Sequence, residues 1–513
     1  MYINNKILIG KNEEQELFIL PNMANRHGII TGASGSGKTI TLKVMAEGFS
    51  DCGVPVFLAD VKGDLAGCAV EGTPNENVES RLQKLGVEGF DYKKFPVRFW
   101  DLYGVRGHHV MAKVSEIGPE ILSIMLGLSE AQEGTLAIAF RVAEDENMPL
   151  VDLKDLRALL QYIGDKRGDY TLKYGNIASQ SVGVIQRSLL TLENQGIANF
   201  FGEPSLDIND FLLKAEDGRG TINILDAVEL FKSPDLYASF LLWMLLKLYN
   251  TLPEVGDLDK PKIVFFFDEA HLLFKDMPSY RLKKITQIVK LIRSKGIGLY
   301  FISQAPNDIP DEISAQLGNR VQHTLRAYTP IEIKNVDAAA NSFRTNPKFD
   351  TKKAILELGI GEALISFQNE KGEPNIVEKA TILPPQSMMG TIDDMTRNKV
   401  INNSPLIGKY DEQVDNESAY EKIEKYTQEK QAEVEAEKQK KLEEQQAKEE
   451  EKLRKEQEKE ELRQKREEER EQKRLEKEKN NSYENKLKKK VINKAENKII
   501  DKGLNSLFRR LFK

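Results

Sequence analysis

The run Gly32-Ala33-Ser34-Gly35-Ser36-Gly37-Lys38-Thr39 constrains this chain more tightly than any other feature. It has the GxxxxGKS/T spacing of a phosphate-binding loop, and it lies between an apolar strand signal, Gly28-Ile29-Ile30-Thr31, and a helical stretch from Thr39 to Ser50. Glycines let the backbone N–H groups of such a turn point inward, and the start of the following helix adds positive potential. The residues from Gly32 through Ile40 are therefore expected to bind the phosphates of ATP. Lys38 would neutralise the β- and γ-oxygens, and the Thr39 hydroxyl would ligate Mg2+.

A loop of this kind needs a parallel sheet whose strands alternate with helices, and the rest of the chain carries the matching signals. Strand patterns recur at 55–60, 96–101, 221–225, 262–267, 299–303, 320–326 and 362–367, with helical patterns at 235–249 and 280–294. Between Ser115 and about Glu216 the spacing turns helical, with Ile121, Leu122, Met125 and Leu126 followed by Leu153, Leu156, Leu159 and Leu160. The expected organisation is an α/β core in two parts, 1–114 and 218–390, around a helical insertion at 115–217. A linker at 391–420, a charged helix at 421–490 and a basic amphipathic end at 491–513 would follow, with Pro384-Pro385 as the exit from the globular body.

Hydrolysis of a bound nucleotide needs a carboxylate for the metal and another to activate water. Ile263-Val264-Phe265-Phe266-Phe267-Asp268-Glu269 places both at the end of a continuous apolar run, as a buried parallel strand would present them at its C-terminal edge. Asp268 is the expected Mg2+ ligand and Glu269 the base. Phe301-Ile302-Ser303-Gln304 is a further strand ending in an amide; lying between the other two strands, it would aim Gln304 at the γ-phosphate. Asp60-Val61-Lys62-Gly63-Asp64 either lines the same edge or forms a turn.

Composition excludes several other classes. Cys52 and Cys68 are the two cysteines of the chain, and with five histidines they show neither a disulfide framework nor zinc spacing, which fits a reducing cytoplasm. Residues 1–10 lack the basic and then apolar pattern expected of a signal peptide, and the longest apolar stretch, Ala238 to Leu246, is far too short for a bilayer span. Charge is divided unevenly. The last 103 residues hold 29 Lys and Arg against 28 Asp and Glu, which leaves the first 410 at −7. From Glu421 to Asn480 there is no glycine or proline, and Val434, Leu442, Leu453, Leu462 and Leu475 do not keep a 3.5-residue repeat. A solvated single helix fits that stretch better than a coiled coil. The final 33 residues sum to +7, and Leu504, Leu507, Phe508, Leu511 and Phe512 would share one helical face beside Arg509, Arg510 and Lys513. That end could meet a membrane surface, nucleic acid or the protein's own body.

Taken in order, the loop at 32–39, Asp60-x-Lys62-Gly63-Asp64, the Asp268-Glu269 strand, Arg293 to Ser303 leading into Gln304-Ala305-Pro306, Asn319-Arg320 to Arg326, and Gly361-Glu362-Ala363-Leu364 resemble the HerA/FtsK superfamily. Over residues 1–385 the chain is most similar to bacterial HerA-like (YjgR-type) NTP-binding proteins. The resemblance implies a RecA-like additional-strand P-loop NTPase core, a homo-oligomeric ring of hexameric type, and translocation along double-stranded DNA. It also implies an arginine supplied in trans, for which Arg320 and Arg326 match the expected positions and Arg293 matches less well. Two features depart from the pattern: 31 residues precede Gly32 where HerA-type motors carry a β-barrel, and the acidic body shows no basic channel. A non-translocating ATPase that acts on protein partners through the charged helix is the rival expectation. Asp268-Glu269-Ala270-His271 also spells a DEAH helicase signature, but the roughly 115 residues from His271 to Pro385 leave no room for a second lobe.

Overall fold

An apolar run without polar alternation, such as Ile263–Phe267, must be covered on both faces, and here every residue of that strand is buried. The computed structural model of the chain describes residues 1–275 and 277–480. In chain order its strands are β1 (Tyr2–Ile3), β2 (Lys6–Lys11), β3 (Glu16–Ile19), β4 (Gly28–Thr31), β5 (Val56–Asp60), β6 (Val97–Asp101), β7 (His108–His109), β8 (Ile222–Asp226), β9 (Ile263–Phe267), β10 (Ile297–Ser303), β11 (Asn319–Gln322), β12 (Glu362–Ser366) and β13 (Glu378–Ile382). They form one sheet in the order β1-β2-β13-β12-β11-β4-β10-β9-β5-β8-β6-β7, with β3 added to β2.

From β11 to β7 all neighbours are parallel. Within that block β10 lies between the strand before the phosphate loop, β4, and the strand before the acidic pair, β9. That insertion gives the additional-strand, RecA-like order β11-β4-β10-β9-β5. The remaining strands, β12, β13, β2, β1 and β3, make an antiparallel wing on one edge. The sequence reading missed β1, β2, β3, β7 and β13. In the wing, helix α1 (Lys38–Asp51) packs closely on β2: a Cβ on Gly48 would stand 2.3 Å from a methyl of Ile7.

Helices at Val114–Met125, Glu130–Asp145, Leu153–Asp165, Arg167–Tyr174 and Ser179–Leu192 lie between β7 and β8. They bury Leu122, Leu136, Leu156, Leu159 and Leu189 in a core shared with Trp243 of the helix Pro234–Thr251 and Phe265 and Phe267 of β9. One expected strand is shorter than its pattern. β11 stops at Gln322, so Arg326 lies beyond the strand, on the irregular stretch before the helix Pro330–Asn341.

Residues 391–420 are not a linker, and the globular body does not end at Pro385. Asp394–Asn402 is helical, Arg397 is buried against Asp226 at 3.2 Å, and its guanidinium lies 4.3 Å from the centre of the Phe99 ring. Farther along, the Tyr410 hydroxyl donates to Asp210 and accepts from the Asp207 N–H, while its ring meets Trp100. The chain divides into two compact units, Met1–Glu424 and Lys425–Lys513.

A helix runs over Ala419–Asn480. Along it Val434, Leu442, Leu453, Leu462 and Leu475 are each at least half exposed, so no zipper partner covers them among the described residues. Ion pairs three or four residues apart, such as Lys441–Glu437 and Lys455–Glu451, run along its surface. Residues 481–490 of the expected charged helix and the basic end at 491–513 lie outside the described residues. No helix among the described residues is long and apolar enough to cross a membrane.

Packing of residues 391–424 on the body sets an expected outcome. Tyr410→Ala should remove about 3–5 kcal/mol from the unfolding free energy measured by chemical denaturation, because it empties a buried aromatic site and takes away one of the two side-chain donors of Asp210, the other being Lys409. A linker residue would leave that value unchanged.

Candidate active site

The strand register assembles the site. Thr31 of β4 pairs with Ser303 of β10, and Phe301 of β10 pairs with Phe267 of β9. The phosphate loop, Gln304 and the Asp268-Glu269 pair therefore leave three adjacent strands at one level of the C-terminal edge, where open α/β sheets bind ligands. On the other side of β4 the chain beyond β11 supports the loop: His323 N–H donates to the Thr31 carbonyl at 2.7 Å and Ala33 N–H to the Thr324 carbonyl at 2.8 Å.

Gly37 caps α1 with φ +114°, and a Cβ there would also stand 3.2 Å from the Gly361 nitrogen. The backbone angle calls for glycine, and the close approach of Gly361 reinforces it. No side chain caps α1, so its first N–H groups are free to face an anion. Lys38 folds back over the loop and donates to the Gly32 carbonyl at 2.6 Å and the Ala33 carbonyl at 3.2 Å. Burial lowers its pKa, with the Glu269 and Asp268 charges acting in the opposite direction. The Ser36 hydroxyl is buried without a hydrogen-bond partner among the described residues. Thr39 is half-buried in the first turn.

Beyond β9, Tyr237 donates to the Asp268 carbonyl at 2.9 Å, and the Asp268 carboxyl accepts from the Glu269 N–H at 2.9 Å. Burial and the neighbouring Glu269 charge push the Asp268 pKa up to about 6, against Lys62 and Lys38. Glu269 sits at φ +49°, a left-handed conformation that costs a side-chain-bearing residue of order 1–3 kcal/mol. Its Oε2 is buried and lies 3.4 Å from His271 Nδ1, yet the two atoms are not aligned for a hydrogen bond and neither has a partner among the described residues. A strained residue holding an unsatisfied carboxylate oxygen at this edge is suited to receive a water or a proton.

Gln304 is exposed in a cleft of about 420 Å3 lined also by Ala33, Ser34, His271, Asp308, Arg326 and Asn335. Asp308 shapes the turn carrying Gln304 by accepting from the Ser303 hydroxyl at 2.5 Å and the Ala305 N–H at 2.8 Å. A larger cavity, about 800 Å3 among Ile117, Trp243, Lys247 and Ile288, contains none of these groups.

The structure separates the arginine candidates. Arg326 is exposed in the cleft. Arg320 pairs at the level of Ile29, two residues short of the loop end of β4, and donates to the Ser314 carbonyl at 2.8 Å. Arg293 pairs with Asp257 at 3.0 Å. Asp60 is a turn-former: it accepts from the N–H groups of Gly63, Leu65 and Ala66, and burial with the nearby Asp64 charge pushes its pKa up to about 6.

Among the described residues no group of three or more His, Cys, Asp or Glu side chains could hold a metal ion alone. The oxygen donors present, the Thr39 hydroxyl and the Asp268 carboxylate, fit Mg2+, which is usually held by one or two carboxylates together with substrate phosphates.

His323 escaped the sequence reading, since nothing in its neighbourhood distinguishes it from the other histidines. It is fully buried, with Nε2 on the Thr41 hydroxyl at 2.8 Å and Nδ1 on the Glu362 carbonyl at 2.9 Å, so it joins α1 to β12 behind the loop. Tyr237 and Asp308 were also missed: Tyr237 reaches the site only through tertiary packing, and Asp308 through a local turn that accepts from Ser303 and Ala305.

A family profile described as "Helicase HerA-like C-terminal" matches residues 5–511. The chain is 22% identical over 368 residues to the DNA double-strand break repair helicase HerA of Saccharolobus solfataricus, an alignment covering 70% of this chain and 64% of that protein. It thus spans less than two thirds of that relative's length. Among solved structures, plasmid coupling protein TrwB in complex with a non-hydrolysable GTP analogue is similar at 13% identity and TM-score 0.48, over 74% of this chain and 90% of that one. VirB4 of Thermoanaerobacter pseudethanolicus is similar at 14% identity and TM-score 0.45, over 74% and 97%.

Burial carries the His323 imidazole down to about 4, with the Glu362 carbonyl opposing and Lys38 reinforcing the shift. A histidine with a depressed folded pKa contributes its stability above the ordinary value near 6.5 and loses it as pH falls toward 4. Relative to His323→Gln, the wild-type protein should therefore lose about 3 kcal/mol of unfolding free energy between pH 7 and pH 4, read by chemical denaturation at several pH values.

Proposed function

The chain belongs to the helicase HerA-like C-terminal family, and from that premise and the geometry of the edge we propose that it is a Mg2+-dependent ATPase that drives movement along double-stranded DNA. The observation that carries the hydrolytic part is the register β4-β10-β9, which gathers loop, amide and acidic pair at one level. In this reading Lys38 and the amides of residues 32–40 hold the β- and γ-phosphates. Thr39 and Asp268 hold Mg2+, which when bound neutralises the charge of the β- and γ-oxygens. Glu269 orients the attacking water and takes its proton, and Gln304 donates to the γ-phosphate. Arg326 is the arginine that meets transition-state charge in a ring of copies, since Arg320 is committed to Ser314 within its own chain.

One surface supports DNA as the track. The helix Ser279–Leu291, which follows the acidic pair in sequence, carries Lys283 and Lys290 on its exposed side, and neither forms an ion pair among the described residues. Tyr280 is exposed on the same helix. The exposed helix Ala419–Asn480 favours the rival reading, an ATPase acting on protein partners.

Glu269→Gln should keep ATP binding within about threefold while lowering turnover by about 10²–10³; unchanged turnover in that variant would refute the assignment. Because the Asp268 carboxyl pKa is pushed up to about 6, Mg2+-dependent nucleotide binding should be full near pH 7.5 and weaken as pH falls through 6, as measured by Mg2+ titration at pH 5.5 and 7.5. Duplex DNA should stimulate hydrolysis in both the full chain and a chain ending at Glu424, with a steep loss on adding salt. Absence of stimulation in both would remove DNA as the track and leave the rival reading.

A further inference from the structure

In the proposed reading Gln304 meets the γ-phosphate in the cleft it shares with Ala33 and Ser34, so the nucleoside leaves at the other end of the loop, beside Ser36 to Ile40. A set of groups that hydrolysis leaves unused stands there. β12 runs antiparallel to β11, which brings residues 358–361 to the edge where β4 ends. Gly361 N–H donates to the Ser36 carbonyl at 3.1 Å. From helix α2 (Glu76–Leu85), Arg81 donates Nη2 to the Ile360 carbonyl at 3.0 Å. Its guanidinium lies across Gly361, where a Cβ would stand 2.1 Å from Nη1 and 2.8 Å from Cζ. Arg81 forms no ion pair among the described residues. Ile360 is 76% exposed, an uncovered apolar side chain one residue from the loop contact.

We propose that Arg81 and Ile360 seat the nucleoside of the bound nucleotide, the base packing on Ile360 with the Arg81 guanidinium over its π-face. Stacking of this kind uses the face that all bases share and not the edge that tells them apart. The site therefore accepts adenine and guanine nucleotides with comparable affinity. This inference rests on the reading of residues 32–40 as a nucleotide-binding loop.

The test is calorimetric titration of the full-length chain with ADP, GDP and pyrophosphate in the presence of Mg2+. ADP and GDP should bind the wild-type protein within about fivefold of each other. Ile360→Ala and Arg81→Lys should each weaken ADP about tenfold and leave pyrophosphate unchanged. Arg81→Lys keeps the charge and a donor for the Ile360 carbonyl but loses the planar group. Unchanged ADP affinity in both variants overturns the proposal, as does an equal loss for ADP and pyrophosphate, which would put both residues on the phosphates. A preference above about a hundredfold for one purine overturns recognition by stacking alone. A changed oligomeric mass for Ile360→Ala, read by light scattering, overturns it in favour of a contact between copies. Lys38→Ala separates the two levels: if it abolishes pyrophosphate binding while the seat variants bind ADP normally, the loop reading stands and the seat falls. If the wild-type protein binds neither ADP nor pyrophosphate, both fall.

Discussion

Hydrogen bonding between β10 and its two neighbours sets the spacing of the whole reactive edge. In a parallel ladder the register of one strand fixes the level at which each neighbour ends, so pairing Thr31 with Ser303 and Phe267 with Phe301 leaves little freedom in where the loop, Gln304 and the acidic pair emerge. A one-residue slip would turn each terminal side chain to the opposite face of the sheet. The apolar residues of β9 and β10 oppose that slip because they are buried on both faces. Phe57 and Phe265 stack at 4.8 Å and Phe267 and Phe301 at 5.5 Å across neighbouring strands, so a shifted register would break well-packed rings.

With the edge fixed, charge and strain are concentrated on it. Asp268 and Glu269 are adjacent carboxylates in a recessed position, and Lys38 and Lys62 supply the compensating charge. The left-handed backbone at Glu269 persists because both sides of it are held: the Asp268 carbonyl by Tyr237, and the Ala270 N–H by the Ile302 carbonyl of β10. Removing either anchor would let Glu269 relax, so under the proposed hydrolysis Tyr237 is a positioning residue although it lies on a helix of the core. His323 has the corresponding role behind the loop, tying Thr41 of α1 to the start of β12.

Local motifs were legible in the sequence and distant packing was not. The loop at 32–39, the acidic pair at 268–269 and the strand into Gln304 each consist of contiguous residues whose pattern states both the element and its end. Arg326 was assigned to a strand that stops at Gln322, because strand ends depend on the partner strand more than on propensity. Arg81 and Gly361 meet across almost 280 residues, and neither stands in a local motif that would reveal the contact. Residues 391–420 looked like a linker because they are polar and rich in turn formers. Their few apolar and aromatic side chains are the ones that count: Leu406 and Tyr410 are buried, against surfaces assembled by residues far earlier in the chain.

The stretch 386–420 explains why the body extends to Glu424. Its polar anchors are met in sequence. Gln386 and Ser387 N–H groups donate to Glu47, fully buried on α1; Arg397 meets Asp226 at the end of β8; Lys409 and Tyr410 meet Asp210; Ser418 and the Tyr420 N–H donate to Asp155 in the helical insertion. Each carboxylate is buried; Glu47 and Asp210 would lose their hydrogen-bond donors if the segment came away, while Asp226 would keep Arg106 and Asp155 the Val151 and Asp152 N–H groups, at a cost of about 1–3 kcal/mol per lost partner and more for a charged group. The strap is thus held at four places that belong to the phosphate-loop helix, the sheet edge and the insertion. Contacts of this type resist separation of those parts more strongly than an equal area of exposed ion pairs, because the desolvated groups have no water to turn to. The same reasoning separates the strap from the surface pairs of the following helix, such as Lys441–Glu437, which are exposed and contribute little each. Two stretches with similar polar composition therefore do opposite things, and what distinguishes them is whether their charged partners are buried.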